Sequence, residues 1–180
     1  DHRDLHSFPT RRSSDLEKDQ VKFYDVSYIE ADYELDDNKV SIELTDFQIF
    51  FTQLNKKKLN KNGSKLQIEN GELINIISED GHVKRETITT HWTDWIDYWS
   101  VDFDYESKKE FIRVDDEDKW TGNYIFENEW QSFRTIDEDK LKLKTPFYNI
   151  KKGHTKVAVK IVDIFGNDTM TLLDVYNGGE

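Results

Sequence analysis

The sequence predicts an all-β chain folded as an antiparallel sandwich preceded by a hairpin-rich segment, and three observations lead there. Apolar and polar residues alternate with a period of two through most of the chain, while helical periodicity is nearly absent. Aromatic residues are plentiful, with 5 Trp, 8 Tyr and 11 Phe, and together with β-branched residues they suit a pleated, half-buried surface. Clusters of Gly, Asn and Asp separate the alternating runs at the spacing expected of short strand connections.

The first sixteen residues stand apart. DHRDLHSFPTRRSSDL, residues 1–16, matches without a gap the translation of a short-read sequencing adapter, so it is expected to be an artefact and is left out of fold reasoning. Its three acids (Asp1, Asp4, Asp15) cancel its three bases (Arg3, Arg11, Arg12), which leaves the net charge of −12 with the remainder. The native coding sequence is expected to begin near Glu17, and the chain to be the C-terminal piece of a longer protein. The remainder suffices for one domain or two small ones, with an expected division into a β-rich segment at 17–90 and a sandwich at 91–180.

From Val21 to Tyr33 the alternation reads as a strand; Asp36-Asp37-Asn38 is a turn cluster, and Val40, Ile42 and Leu44 alternate with Ser41 and Glu43. A β-hairpin follows from this pattern. Residues 52–65 form the one basic stretch and lack an apolar face. It reads as a solvated loop, the alternative being a phosphate-contacting loop in which Lys56, Lys57 and Lys58 do the contacting. Leu66–Ile68 and Leu73–Ile77 are short strands around the Asn70-Gly71 turn, and Asp80-Gly81 marks the next turn.

Beyond Thr87 the pattern sharpens. In WIDYWSVDFDY, residues 95–105, the series Trp95, Trp99, Val101, Phe103 is apolar apart from Asp97 and should face a core. Residues 106–122 are hydrophilic, either a long loop or an inserted hairpin. Strands are expected over 124–134, 141–148, 156–164 and 170–176, with turns at Gly153 and Gly166-Asn167. Pro146 suits an edge strand, where the missing N–H does no harm.

Composition excludes several functions. An acidic surface, with a sequence pI near 4.9, repels a phosphate backbone, so the chain is a poor principal nucleic-acid contact. There is no cysteine for disulfides or thiolate-bound zinc, which fits a reducing compartment. No apolar run approaches the ~20 residues of a membrane-spanning helix.

Candidate chemistry is sparse. Outside the first sixteen residues the histidines are His82, His91 and His154, too scattered for a zinc site. Asp102, Asp104 and Asp163 offer the hard oxygens that calcium takes, set against a reading as turn-capping carboxylates. Trp99 and Trp130 read as core. Trp92 and Trp95 read either as core or as an interface with a neighbouring domain. No residue is assigned a catalytic, cofactor-binding or metal-binding role.

Two resemblances emerge from these runs. Val101-Asp102-Phe103-Asp104-Tyr105, then Tyr148 and Gly153, then VAVKIVDIFGNDT at 157–169, resemble the frame of PKD-type immunoglobulin-like domains. More closely, WIDYWSVDFDY (95–105), FENEWQSFRT (126–135) and KVAVKIVDIFGNDT (156–169), with an echo in NKVSIELTDFQI (38–49), resemble the C-terminal region of bacterial adenine-specific DNA methyltransferases akin to the modification subunits of type III restriction systems. Residues 52–90 match nothing in that frame, and His154-Thr155 follow Gly153 where a Tyr is common.

The resemblance implies a cytoplasmic parent enzyme that uses S-adenosylmethionine and contacts DNA, with this chain as its non-catalytic accessory domain. The implied partners are the parent's own catalytic domain and a restriction subunit, with no membrane. The D-P-P-Y-like tetrapeptide and Gly-rich cofactor loop that such catalysis needs do not occur between Glu17 and Glu180. A reading from a different class is a PKD-like binding or spacer module of a secreted or surface protein.

Overall fold

The structure is a computed structural model and describes residues 27–49, 64–134 and 140–178. Among them are twelve strands, every pairing is antiparallel, and the only helical elements are two single 3-10 turns. The chain is all-β, as its period of two requires. Among the described residues no helix is long and apolar enough to cross a membrane.

The alternating runs become strands for the expected reason. Strands β1 (Tyr28–Asp36) and β2 (Lys39–Gln48) form the first hairpin, turning at Asp37 with φ 50°. Val40, Ile42 and Leu44 point inward from β2 and are almost wholly buried. Strands β3 (Ser64–Glu69), β4 (Glu72–Glu79) and β5 (His82–Thr87) make a three-stranded meander. Its turns carry Asn70-Gly71 (φ 52° and 82°) and Asp80-Gly81 (φ 48° and 80°), the left-handed pairs that a two-residue hairpin demands.

Strand β6 (Ile96–Asp102) lies at the centre of the main sheet. The inserted stretch 106–122 is a hairpin, β7 (Lys109–Val114) and β8 (Glu117–Tyr124), turning at Asp115-Asp116. Strand β9 (Trp130–Phe133) follows, then β10 (Tyr148–Asn149), β11 (Gly153–Asp163) and β12 (Asp168–Asn177). The single strand expected over 124–134 is thus two pieces: β8 ends at Tyr124, and the chain leaves the strand ladder before joining the main sheet as β9.

Sheet orders are β12-β11-β6-β9 for the main sheet and β1-β2-β10 for the second. Both turn their apolar faces into one cluster. Ile29, Val40, Ile42, Leu44 and Phe47 meet Trp99, Val101, Val157, Val159, Ile161 and Val175 there, with Leu73 of β4 joining. Residues 28–49 therefore share the core of the segment beyond residue 90.

The stretch 141–148 follows β2 more irregularly than the expected strand. Thr145 N–H donates to the Ile42 carbonyl (2.9 Å) and Leu44 N–H to the Leu143 carbonyl (2.8 Å). Ile42 N–H, however, donates to the Thr145 hydroxyl (3.0 Å), and Ser41 Oγ donates to the Thr145 carbonyl (2.7 Å). Pro146 lacks an N–H and lies along the edge of its sheet, where no ladder bond is lost.

Candidate functional site

The aspartates at the strand ends are committed to backbone groups. Asp163 is buried at the end of β11. Its Oδ1 accepts from the N–H groups of Phe165 and Asn167, each at 2.9 Å, and its Oδ2 accepts from the Asn167 side-chain amide at 2.9 Å. The hairpin to β12 is closed by Asp163 N–H donating to the Asn167 carbonyl, also at 2.9 Å. Asp102 accepts from Asp104 N–H (3.0 Å) and from Glu127 N–H (2.8 Å). Burial pushes its carboxyl above the usual range and the nearby Asp104 charge adds to this, while the bond from Asp104 N–H opposes it. Asp104 pairs with Lys151. These three carboxylates brace turns, and among the described residues no group of three or more His, Asp or Glu is placed to hold a metal ion.

The histidines fall in three separate elements. His82 is exposed on β5. His91 caps the 3-10 turn Trp92–Trp95, its ring accepting from Thr93 N–H (3.4 Å) while Asp94 Oδ2 accepts from His91 N–H (2.9 Å). His154 sits on β11 with Nε2 2.6 Å from Asp174 and its ring 4.7 Å from that of Tyr176.

The same turn places both tryptophans singled out at the sequence level. Trp95 is only 6 % exposed and its ring lies 6.2 Å from that of Phe165. Trp92 is half-buried, packed against the core cluster and 5.4 Å from the His91 ring. Arg134 holds this turn: Nε donates to the Ile96 carbonyl (2.9 Å), Nη2 donates to the Thr93 carbonyl, and the guanidinium pairs with Asp94 at 3.6 Å. Burial pushes Asp94 up, but bonds from the N–H groups of Thr90 and His91 and the Arg134 charge outweigh it and leave its pKa below normal. The half-buried Trp130 packs edge-to-face at 4.7 Å on the fully buried Trp99, whose indole N–H donates to the Lys142 carbonyl at 2.7 Å. Lys56, Lys57 and Lys58 lie outside the described residues.

Residues 106–122, read from the sequence as a long loop or an inserted hairpin, are an inserted hairpin between β6 and β9, and sequence reasoning missed the two exposed aromatic side chains it carries. Its base is cinched by Asp102 accepting from Glu127 N–H, by Glu129 Oε2 accepting from Phe103 N–H (2.6 Å), and by Ile125 N–H donating to the Lys108 carbonyl (2.9 Å). Lys156 pairs with Glu106 at 3.8 Å and Lys160 sits 4.5 Å from the Phe126 ring centroid, which ties that base to the outer face of β11. Above it, Phe111 and Trp120 stand directly opposite each other on β7 and β8 and remain 56 % and 45 % exposed. A signal was present: aromatic residues at 111 and 120 flank the acidic run at 115–118.

No family model, curated protein or solved structure shows significant similarity to the chain.

Proposed function

We propose that this chain is a non-catalytic docking module, the C-terminal accessory domain of a cytoplasmic, adenine-specific DNA methyltransferase of the restriction-modification kind. The observation that carries the docking part is the braced insertion bearing Phe111 and Trp120, a pair of large side chains held outside the core. Buried aromatic anchors of this type supply most of the energy of protein interfaces. The parent's identity rests on the resemblance of residues 95–105, 126–135 and 156–169, whose described residues include the central strands β6 and β11 and the edge strand β9. The immunoglobulin-like, PKD-type character rests on the same runs, with β6 and β11 as neighbours in one sheet.

In this reading S-adenosylmethionine and the target base belong to the catalytic domain of the parent. The chain's acidic charge favours contact with protein over contact with DNA. Two experiments test it. Sequencing intact genomic DNA across the region encoding residues 1–16 should reveal in-frame methyltransferase motifs upstream; a secretion signal followed by further immunoglobulin-like repeats would overturn the parent assignment in favour of a secreted PKD-like module. Removing residues 28–178 from the intact parent should impair its assembly without abolishing cofactor binding, and unchanged assembly and methylation would overturn the docking role.

A further inference from the structure

The β7–β8 hairpin pairs with no third strand among the described residues. Two-stranded ribbons are marginal alone and normally gain their stability by burying a face against something else. Here the base is bound to the domain as described above, but the arm's own face is open. Phe111 and Trp120 share that face with Arg113 and Asp118, their neighbours two residues along. On the other face Ile112 is 51 % exposed. Inside the arm the polar groups are satisfied locally: the Trp120 indole N–H donates to the Asn123 carbonyl (2.8 Å), and the Thr121 hydroxyl donates to Glu110 (2.8 Å). The apolar pair is thus presented by a preorganised ribbon.

The charges around it select the partner. Arg113 is matched by Asp116 at 3.8 Å, and Lys109 lies over the Trp120 ring at 4.7 Å. Asp115, Glu117 and Asp118 at the tip make no ion pair among the described residues. The outward field at the tip of the arm is therefore negative, next to an aromatic pair that is about half exposed. A second copy of the chain, itself at −12, is repelled from this face, and so is a nucleic acid. A cationic chain with apolar side chains is attracted.

From this geometry we propose that the β7–β8 hairpin is a docking arm for a basic polypeptide segment bearing apolar side chains, which lie on Phe111 and Trp120 while its cations face Asp118 on the same face and Asp115 at the tip. The proposal rests on the docking reading above and specifies its partner. The segment belongs to a separate protein partner.

The test uses the full chain and three short peptides: one alternating lysine and valine, one alternating glutamate and valine, and one alternating lysine and glycine. Titrations are followed by backbone amide resonances of residues 109–124 and by the Trp120 indole N–H. The lysine–valine peptide should move these resonances, and added salt should weaken its binding. The other two peptides should bind about tenfold or more weakly, because each lacks one of the two complementary features. The double variant F111S/W120S should lose about tenfold or more in affinity, whereas M170S/Y176S, which alters exposed residues of β12, should leave it unchanged.

Both variants change exposed side chains, and their unperturbed core resonances would establish that they fold. Equal binding of the glutamate–valine peptide, an unaltered affinity of F111S/W120S, or self-association of the chain through the arm would each overturn the proposal. In the intact parent the two readings separate. If removing residues 28–178 disrupts assembly but F111S/W120S does not, the arm proposal fails and the docking function stands. If neither change disrupts assembly, the docking function itself fails.

Discussion

Replacing Asp163 measures what the carboxylate at the end of β11 does. In Asp163→Ala three hydrogen bonds to a charged acceptor disappear, two from backbone N–H groups and one from the Asn167 amide. Taken independently, each such bond contributes about 1.5–3 kcal/mol. They share one acceptor group and one turn, so their effects do not add. Asn167 is exposed, and water recovers part of its loss, whereas Phe165 is half-buried and keeps more of the penalty. The expected cost is about 2–4 kcal/mol, a large share of the ~5–15 kcal/mol that holds a domain folded.

Asp163→Asn is milder, at about 1 kcal/mol: its oxygen still accepts from both backbone donors, and Asn167 can rotate its amide to offer oxygen to the new NH2. Urea unfolding followed by tryptophan fluorescence reads both variants, because Ile164 N–H donates to the Trp95 carbonyl (3.0 Å) and couples the turn to a buried indole. The titrations are run with and without millimolar calcium. A brace predicts no calcium effect on any of the three proteins. A cost below ~1 kcal/mol for Asp163→Ala would refute the bracing role. Calcium stabilisation of the wild type that vanishes in Asp163→Asn would refute it in favour of a cation site.

Further expectations concern the core and its polar members. Ser100 is fully buried with its hydroxyl unpartnered among the described residues, so Ser100→Ala should be neutral or stabilising by up to ~1 kcal/mol in the same urea assay; a clear loss would reveal a partner for the hydroxyl. Trp99→Phe removes the indole donor to the Lys142 carbonyl and shrinks a filled site, for an expected loss of about 2–3 kcal/mol, and a double-mutant cycle with Trp130→Phe should show coupling between the two rings. Asp94 has a folded pKa below its unfolded value of 3.8, so its contribution is present above that value and is lost as pH falls through the lower folded pKa. Asp102 has a raised folded pKa and acts in the opposite sense: between 3.8 and that higher value the folded state holds the extra proton, so stability falls as pH rises through this window. Acid titration of Asp94→Asn and Asp102→Asn should therefore alter the pH dependence of unfolding in opposite directions, and equal responses would contradict both assignments.

Local pattern was enough to recognise most of the strands. Val40, Ile42 and Leu44 alternate cleanly because β2 has one buried face, and Val157, Val159 and Ile161 do so on β11 for the same reason. Asn70-Gly71 and Asp80-Gly81 were legible as hairpin turns because their chemistry tolerates positive φ. Asp115-Asp116 adopts the same left-handed pair without a glycine, φ 52° and 66°, so the β7–β8 hairpin could be read equally well as a loop. The break between β8 and β9 was hidden for a different reason: Ile125 and Phe126 continue the apolar character of a strand, while the hydrogen bonds that redirect the chain come from Asp102 and Glu129, more than twenty residues away from their donors.

Periodicity, turn chemistry and charge are properties of neighbours along the chain, and they settled the all-β class, the acidic surface and the strand-forming runs. Which face of the molecule each run would meet depended on contacts remote in sequence. The union of residues 28–49 with the core of β6 and β11 and the exposure of Phe111 and Trp120 both arise that way. Alternation tells a strand that it has two sides; packing against distant strands determines which aromatic residues are covered and which are left to face a partner.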